Sequence, residues 1–183
     1  MHRNRSRGLA LAALFATLPT GLPADVIDSA AHGFTVRHSV PLPVGRDAAW
    51  LAVVADVDHW WSSDHTVSGD AANLYIEPAP LGCFCERLGE HGGLVHLQVT
   101  FANPGVLLRL TGGLGPLGLM GVNGNLTFEF DDAEDGEGSI VTLSYAVGGY
   151  LPGGLEAMAG PVDGVLGEQM RRLAAYVAEQ AGS

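Results

Sequence analysis

The sequence predicts an α+β domain in which a strongly twisted antiparallel sheet of about seven strands wraps around a long C-terminal helix. Three observations carry this. Between Leu74 and Val147 the chain breaks into short β-rich runs separated by turn residues, at a spacing of roughly ten residues. From Leu155 onward, Met158, Val162, Val165, Leu166, Met170, Leu173 and Val177 recur at three- and four-residue steps, the stripe of one amphipathic helix. Ahead of both, Phe34–Pro43 alternates as a first strand, and Trp50, Leu51, Val53 and Val54 give a short helix over Asp47–Ala55. A twisted sheet must cover one apolar face, and the last helix is the element long enough to do so.

Residues 1–24 differ in kind from the rest. Arg3, Arg5 and Arg7 precede an eleven-residue apolar run from Gly8 to Leu18, and Pro19, Gly21 and Pro23 follow before Ala24. That is the layout of a secretory signal peptide, with the cut expected after Ala24 or, alternatively, after Ala30 or Ala31. The run is too short to span a bilayer, which takes about 20 apolar residues. The remainder, residues 25–183, reads as one domain, exported to the periplasm or secreted.

Of the 183 residues 47% are hydrophobic and 16% charged, too apolar a mixture for intrinsic disorder. Removing residues 1–24 takes away three of nine basic residues and none of the twenty acidic ones, so the formal charge moves from −11 to −14. Lysine is absent. A domain this acidic is repelled by phosphate backbones and anionic lipid surfaces, so neither nucleic acid nor stable membrane insertion is expected.

After the short helix comes the aromatic elbow Asp56-Val57-Asp58-His59-Trp60-Trp61-Ser62-Ser63, then a loop through Gly69 and Asp70. The strands that follow are read at Leu74–Glu77, Cys83–Leu88, Leu94–Phe101, Val106–Thr111, Leu126–Phe130 and Ile140–Val147, with turns at Pro78–Gly82, Glu90–Gly93 and Asn103–Gly105. Asp131, Asp132, Glu134, Asp135 and Glu137 crowd a last turn beside Gly136 and Gly138; it reads as a solvated hairpin and lacks the spacing of a calcium loop. The Gly148–Gly154 breaker leads to the final helix, which Pro161 should kink or interrupt. Gly113-x-Gly115-x-x-Gly118 matches a dinucleotide fingerprint by letter only, because that motif needs a parallel sheet and a following helix. It reads as a glycine-rich connection, and no cofactor is expected.

Chemistry-bearing residues fall on the predicted strands. Cys83 and Cys85 point to one face about 7 Å apart at Cα, a separation that strains a direct disulfide. Three readings stand: two buried thiols, a redox or disulfide role, or a weak metal site completed by His65 and His96. Alternation sets Val95, Leu97, Val99 and Phe101 on one side and His96, Gln98 and Thr100 on the other, with Glu86 and Arg109 similarly placed against apolar neighbours. If the polar set points inward, Glu86, His96 and Arg109 form a charged cluster on an apolar wall that orients a ligand. If it points outward, it is the solvated face of the sheet. Trp60, Trp61, His65, Tyr145 and Tyr150 are candidates to line a pocket mouth, against core packing as the alternative. Of the adjacent tryptophans, one is expected to meet ligand or solvent.

The element order, the Trp50 helix followed by Trp60-Trp61, the Gly82-Cys83-Phe84-Cys85-Glu86 strand, the Asn103-Pro104-Gly105 turn and the helix ending Glu168-Gln169-Met170-Arg171-Arg172-Leu173 together resemble the START-related helix-grip superfamily, SRPBCC. The polyketide cyclase and heat-shock-ATPase-activator-like branches are the nearest, and the resemblance covers about residues 33–180. It implies a cavity between sheet and helix for a hydrophobic or amphipathic small molecule. Export departs from the cytosolic co-chaperone branch. Three functions follow: a carrier without covalent catalysis; a cyclase or dehydratase-type lyase with His96 and Glu86 as acid and base and Arg109 holding an oxyanion; and a cell-envelope interaction module meeting a basic partner through the acidic face and Trp60-Trp61. N-terminal sequencing of protein recovered from its own compartment should begin at Asp25; an intact Met1 on protein confined to the cytosol would contradict export.

Overall fold

The computed structural model describes residues 25–134 and 136–182. Its strands are β1 (Asp25–Ala30), β2 (Gly33–Leu42), β3 (Leu74–Ile76), β4 (Cys83–Leu88), β5 (Gly92–Asn103), β6 (Leu107–Gly112), β7 (Gly121–Asp132) and β8 (Ser139–Tyr150). They form one open antiparallel sheet in the order β1-β2-β8-β7-β6-β5-β4-β3. The helices α1 (Arg46–Ala55) and α2 (Val57–Trp60) separate β2 from β3, and α3 (Glu156–Ala181) closes the chain. The architecture is the predicted α+β grip, with eight strands where about seven were expected. Residues 1–24, and with them the signal-peptide segment, lie outside the described residues, as does Asp135 in the acidic turn.

The added strand is β1. It pairs with β2 from Asp25↔Arg37 to Ala30↔Gly33, and its apolar residues Val26 and Ile27 are adjacent and exposed. An edge strand that contributes backbone hydrogen bonds and buries no face leaves no alternation to read. No helix among the described residues is long and apolar enough to cross a membrane.

One face of the sheet is the core. Phe34 and Val36 of β2, Leu108 and Leu110 of β6, Leu126, Phe128 and Phe130 of β7, and Val141 and Leu143 of β8 are buried against Leu166, Met170, Leu173 and Val177 of α3. Each such side chain contributes about 1.5–3 kcal/mol when removed from water. The short helix α1 covers the rest of that face, with Trp50 packed on Phe130 at a ring separation of 5.5 Å. α3 runs unbroken through Pro161, where a kink or an interruption was expected. Proline there costs one hydrogen bond near the helix start, and packing of the apolar stripe downstream outweighs it.

Strict alternation fails on β5, and the failure places the buried polar groups. Pairing skips His96 between Cys85↔Val95 and Phe84↔Leu97, and shifts again between Val99 and Phe101. Each shift inserts a residue and turns its neighbours over. Leu97 and Val99 are therefore buried, Val95 and Phe101 are exposed, and His96 is brought inside next to Leu97.

Candidate functional site

Two buried polar pairs stand on the core face. The first joins Glu86 of β4 to His96 of β5, with the His96 Nε2 2.9 Å from the Glu86 carboxylate. Glu86 is 1% exposed. Its carboxylate also accepts the backbone N–H groups of Val67, at 3.0 Å, and of Ser68. Burial by itself raises the pKa of this carboxyl, but donors from Ser68, Val67 and His96 outweigh that effect and hold it down to about 2. A carboxylate with this many donors is spent on structure, and what it holds is the loop that follows the aromatic elbow.

The same elbow is fastened from other sides. Trp60 Nε1 donates to Ala52 O at 2.9 Å and Trp61 Nε1 to His65 O at 3.0 Å. Gln169 of α3 accepts the Ser62 N–H at 2.8 Å, Arg172 Nε donates to Trp60 O at 2.8 Å, and His65 Nε2 meets Glu168 at 3.2 Å. Contrary to expectation, both tryptophans are inside, at 1% and 4% exposed, because each indole N–H finds a local carbonyl and neither needs water. Trp61 packs edge-on to Phe84 at 5.1 Å, and Phe84 lies 5.2 Å from the His96 ring, an aromatic wall ending at the buried pair.

The second pair, not foreseen from the sequence, joins β2 to α3. His38 Nε2 lies 2.9 Å from Asp163 Oδ1, both side chains largely buried. The approach is not aligned as a hydrogen bond, and neither atom has another protein partner in hydrogen-bond geometry. Gly167 makes the arrangement possible: a Cβ there would sit 2.7 Å from the His38 ring, so only glycine lets α3 pass this close. His38 alternates as a core position on β2, and Asp163 interrupts the apolar stripe of α3 between Val162 and Val165. A histidine and a carboxylate at core positions of two different elements were the available signal.

Other predicted site residues are dispersed. Arg109 is on the opposite, solvent face of the sheet, its guanidinium over the Phe101 ring at 5.7 Å, because the buried positions of β6 are Leu108 and Leu110. Glu86 and His96 point inward and Arg109 outward, so the cluster that a wholly inward polar set would form is not assembled. Tyr145 is fully buried; its hydroxyl donates to Gly112 O at 2.7 Å and accepts the Leu114 N–H at 3.0 Å, pinning the start of the glycine-rich connection, and burial raises its pKa. Tyr150 is 75% exposed at the end of β8. Cys83 and Cys85 form a disulfide, where a direct bridge was expected to be strained. Their Cα atoms stand 5.4 Å apart beside the register shift between Phe84 and Cys85, within the roughly 4.4–6.8 Å a bridge tolerates. With both sulfurs bonded to each other they are no longer available as metal ligands, and the described residues hold no cluster of three metal-ligating side chains.

No protein-family profile matches the chain, and no curated protein matches it. Solved structures do. A protein from Mesorhizobium loti is similar over 80% of this chain and 97% of its own, with a TM-score of 0.56 at 15% identity. A protein from Rhodobacter sphaeroides aligns over 86% of this chain and 99% of its own, with a TM-score of 0.57 at 18% identity. DynU16, a protein in the dynemicin biosynthetic locus, gives a TM-score of 0.55 at 16% identity over 79% of this chain, which spans 47% of DynU16. These likenesses establish the helix-grip-like fold.

The depressed pKa of Glu86 sets an acid limit on the fold. Its folded value, about 2, lies below the ordinary 4.5, so its stabilisation is complete above about pH 4.5 and fades as pH falls toward 2. Denaturant unfolding of the wild type and Glu86→Gln should show a stability gap at pH 6 that shrinks by about 2 kcal/mol at pH 3. A gap independent of pH would contradict the clamp.

Proposed function

We propose that this chain binds a hydrophobic or amphipathic small molecule between the inner face of its sheet and the first half of α3, with His38 and Asp163 meeting the ligand's polar group. The observation that carries the reading is this buried pair with unspent hydrogen-bonding atoms on an apolar wall. Each atom keeps hydrogen-bonding capacity beyond its 2.9 Å contact with the other, which a ligand's hydroxyl or carbonyl can use. A few polar groups on an apolar surface are also what a small-molecule site requires.

The helix above the pair is built to open. Pro161 removes a backbone donor from α3, and Gly160 and Gly164 lie in the same stretch. A methyl group at either glycine would meet nothing within 4 Å, so no packing contact requires them. Each costs roughly 1 kcal/mol of helix stability relative to alanine. The second half of α3 is by contrast fastened to the elbow through Gln169 and Arg172. The resemblance to SRPBCC proteins supports the same site, and the Cys83–Cys85 disulfide supports an oxidising compartment and hence export. The lyase reading loses its anion holder, because Arg109 lies on the other side of the sheet from Glu86 and His96.

Replacing both glycines should separate stability from binding. Gly160→Ala with Gly164→Ala should raise Tm by about 2–6 °C and weaken uptake of the neutral probe N-phenyl-1-naphthylamine about tenfold or more, read by fluorescence titration. Asp163→Leu should retain the apolar probe and lose binding of fatty alcohols. Failure of the wild type to bind either class, or unchanged binding in the stabilised variant, would overturn the proposal.

A further inference from the structure

The solvent face of the sheet carries its own constellation. Register aligns Arg37 with Ser144, Ser144 with Thr127, Thr127 with Arg109, and Arg109 with Phe101, one row running from β2 across β8, β7 and β6 to β5. The row starts at Asp25 on the edge strand. Three strand spacings separate the two arginines, roughly 14 Å at Cα. Ser144 and Thr127 between them are short, so the two guanidinium groups rise above a low hydroxyl-lined floor. This row lies in a groove of about 570 Å³. A second groove of about 610 Å³ continues it, sharing Thr111 and Asn125, extending to Asn123 and His32, and also lined by Asp28 and Val147.

We propose that this face is a binding groove for an acidic oligosaccharide, whose carboxylates are held by Arg37 and Arg109 and whose hydroxyls lie along the Ser, Thr and Asn floor.

Beyond residue 24 the chain has six arginines and no lysine against twenty acidic residues. Arg46 is paired with Asp132, Arg87 lies over Tyr75, and Arg172 is bonded to the elbow. Like Arg87 and Arg172, Arg37 and Arg109 have no carboxylate ion pair among the described residues, and the Arg109 guanidinium lies over the Phe101 ring. Glu129 stands one register row away, opposite Leu107 and Thr142. Two cations placed in one row of an otherwise acidic protein favour an anionic ligand, since guanidinium binds carboxylate through paired charge-assisted hydrogen bonds.

The floor narrows the class. Ser144, Thr127, Thr111 and Asn125 offer donors and acceptors where a hydrocarbon ligand would want apolar surface. Phe101, 41% exposed beside Arg109, presents an aromatic ring to the C–H face of a sugar. The combined length of the grooves fits several residues of a chain rather than one small anion. The net acidic surroundings disfavour a long polyanion, so the ligand expected is a short oligouronate whose few carboxylates the two arginines can match. This site is on the opposite face from α3, so it neither needs nor tests the interior binding reading.

Calorimetric titration of the full mature chain with trigalacturonate, maltotriose and sulfate tests it. Trigalacturonate should bind, and neither maltotriose nor sulfate should match it. Arg37→Gln and Arg109→Gln, both at solvent-facing positions, should keep the wild-type melting temperature and each weaken binding about tenfold, while Phe101→Ala should weaken it severalfold. No trigalacturonate binding at millimolar concentration, equal binding of sulfate, or unchanged affinity in the double arginine variant would overturn the assignment.

Discussion

Glu86 sits on an apolar wall where a lone carboxylate would be expelled or neutralised, and it remains ionised because Val67, Ser68 and His96 donate to it. The consequences spread outward. Holding Val67 and Ser68 fixes the loop after the elbow; the fixed elbow keeps Trp60 and Trp61 inside; and the elbow backbone supplies the carbonyl and N–H that Arg172 and Gln169 of α3 use. A buried charge of this kind is a weak net contributor to stability, yet removing one partner strands the other. Its structural value is specificity: it sets one position for the elbow and so one seat for the second half of the C-terminal helix.

The second half of α3 is thereby hydrogen-bonded to the elbow, whereas the first half is held by the burial of Leu155 and Ala159 and by the His38–Asp163 contact, over a stretch of poor helix propensity. Gln169, Arg172, Met170, Leu173 and Val177 are bonded to the elbow or packed on the core, while the preceding turns contain Gly160, Pro161 and Gly164 with His38 and Asp163 beneath them. Local opening is least costly where helix propensity is poor and side-chain contacts are few. The proposed interior site and the proposed outer Arg37–Arg109 groove use opposite faces of the same strands, which is possible because successive side chains of β2 and β6 alternate between them.

The large features were legible in the sequence because they obey simple periodicities. The stripe from Leu155 to Val177 and the runs between Leu74 and Val147 are long enough to outvote local exceptions, and the sheet and last helix match them. What escaped was set by single irregularities. The skipped pairing at His96 cannot be read from alternating residue types, and it brings His96 inside next to Leu97. The placement of Arg109 depended on which face of β6 turned inward, and Leu108 and Leu110 decided it. The His38–Asp163 pair is a contact between elements 125 residues apart in sequence numbering. Nothing local marks such a contact, beyond a polar residue standing at a core position in each partner.

Native-state hydrogen exchange on the full chain, resolved to single amides, tests the account most directly, because it reads the Glu86 clamp and both halves of α3 together. Protection at Ser62, Val67 and Ser68 should equal that of the neighbouring strands β4 and β5, and Gly160 to Gly167 should exchange faster than Gln169 to Val177. Loop-like exchange at Val67 and Ser68, or uniform protection along α3, would contradict it.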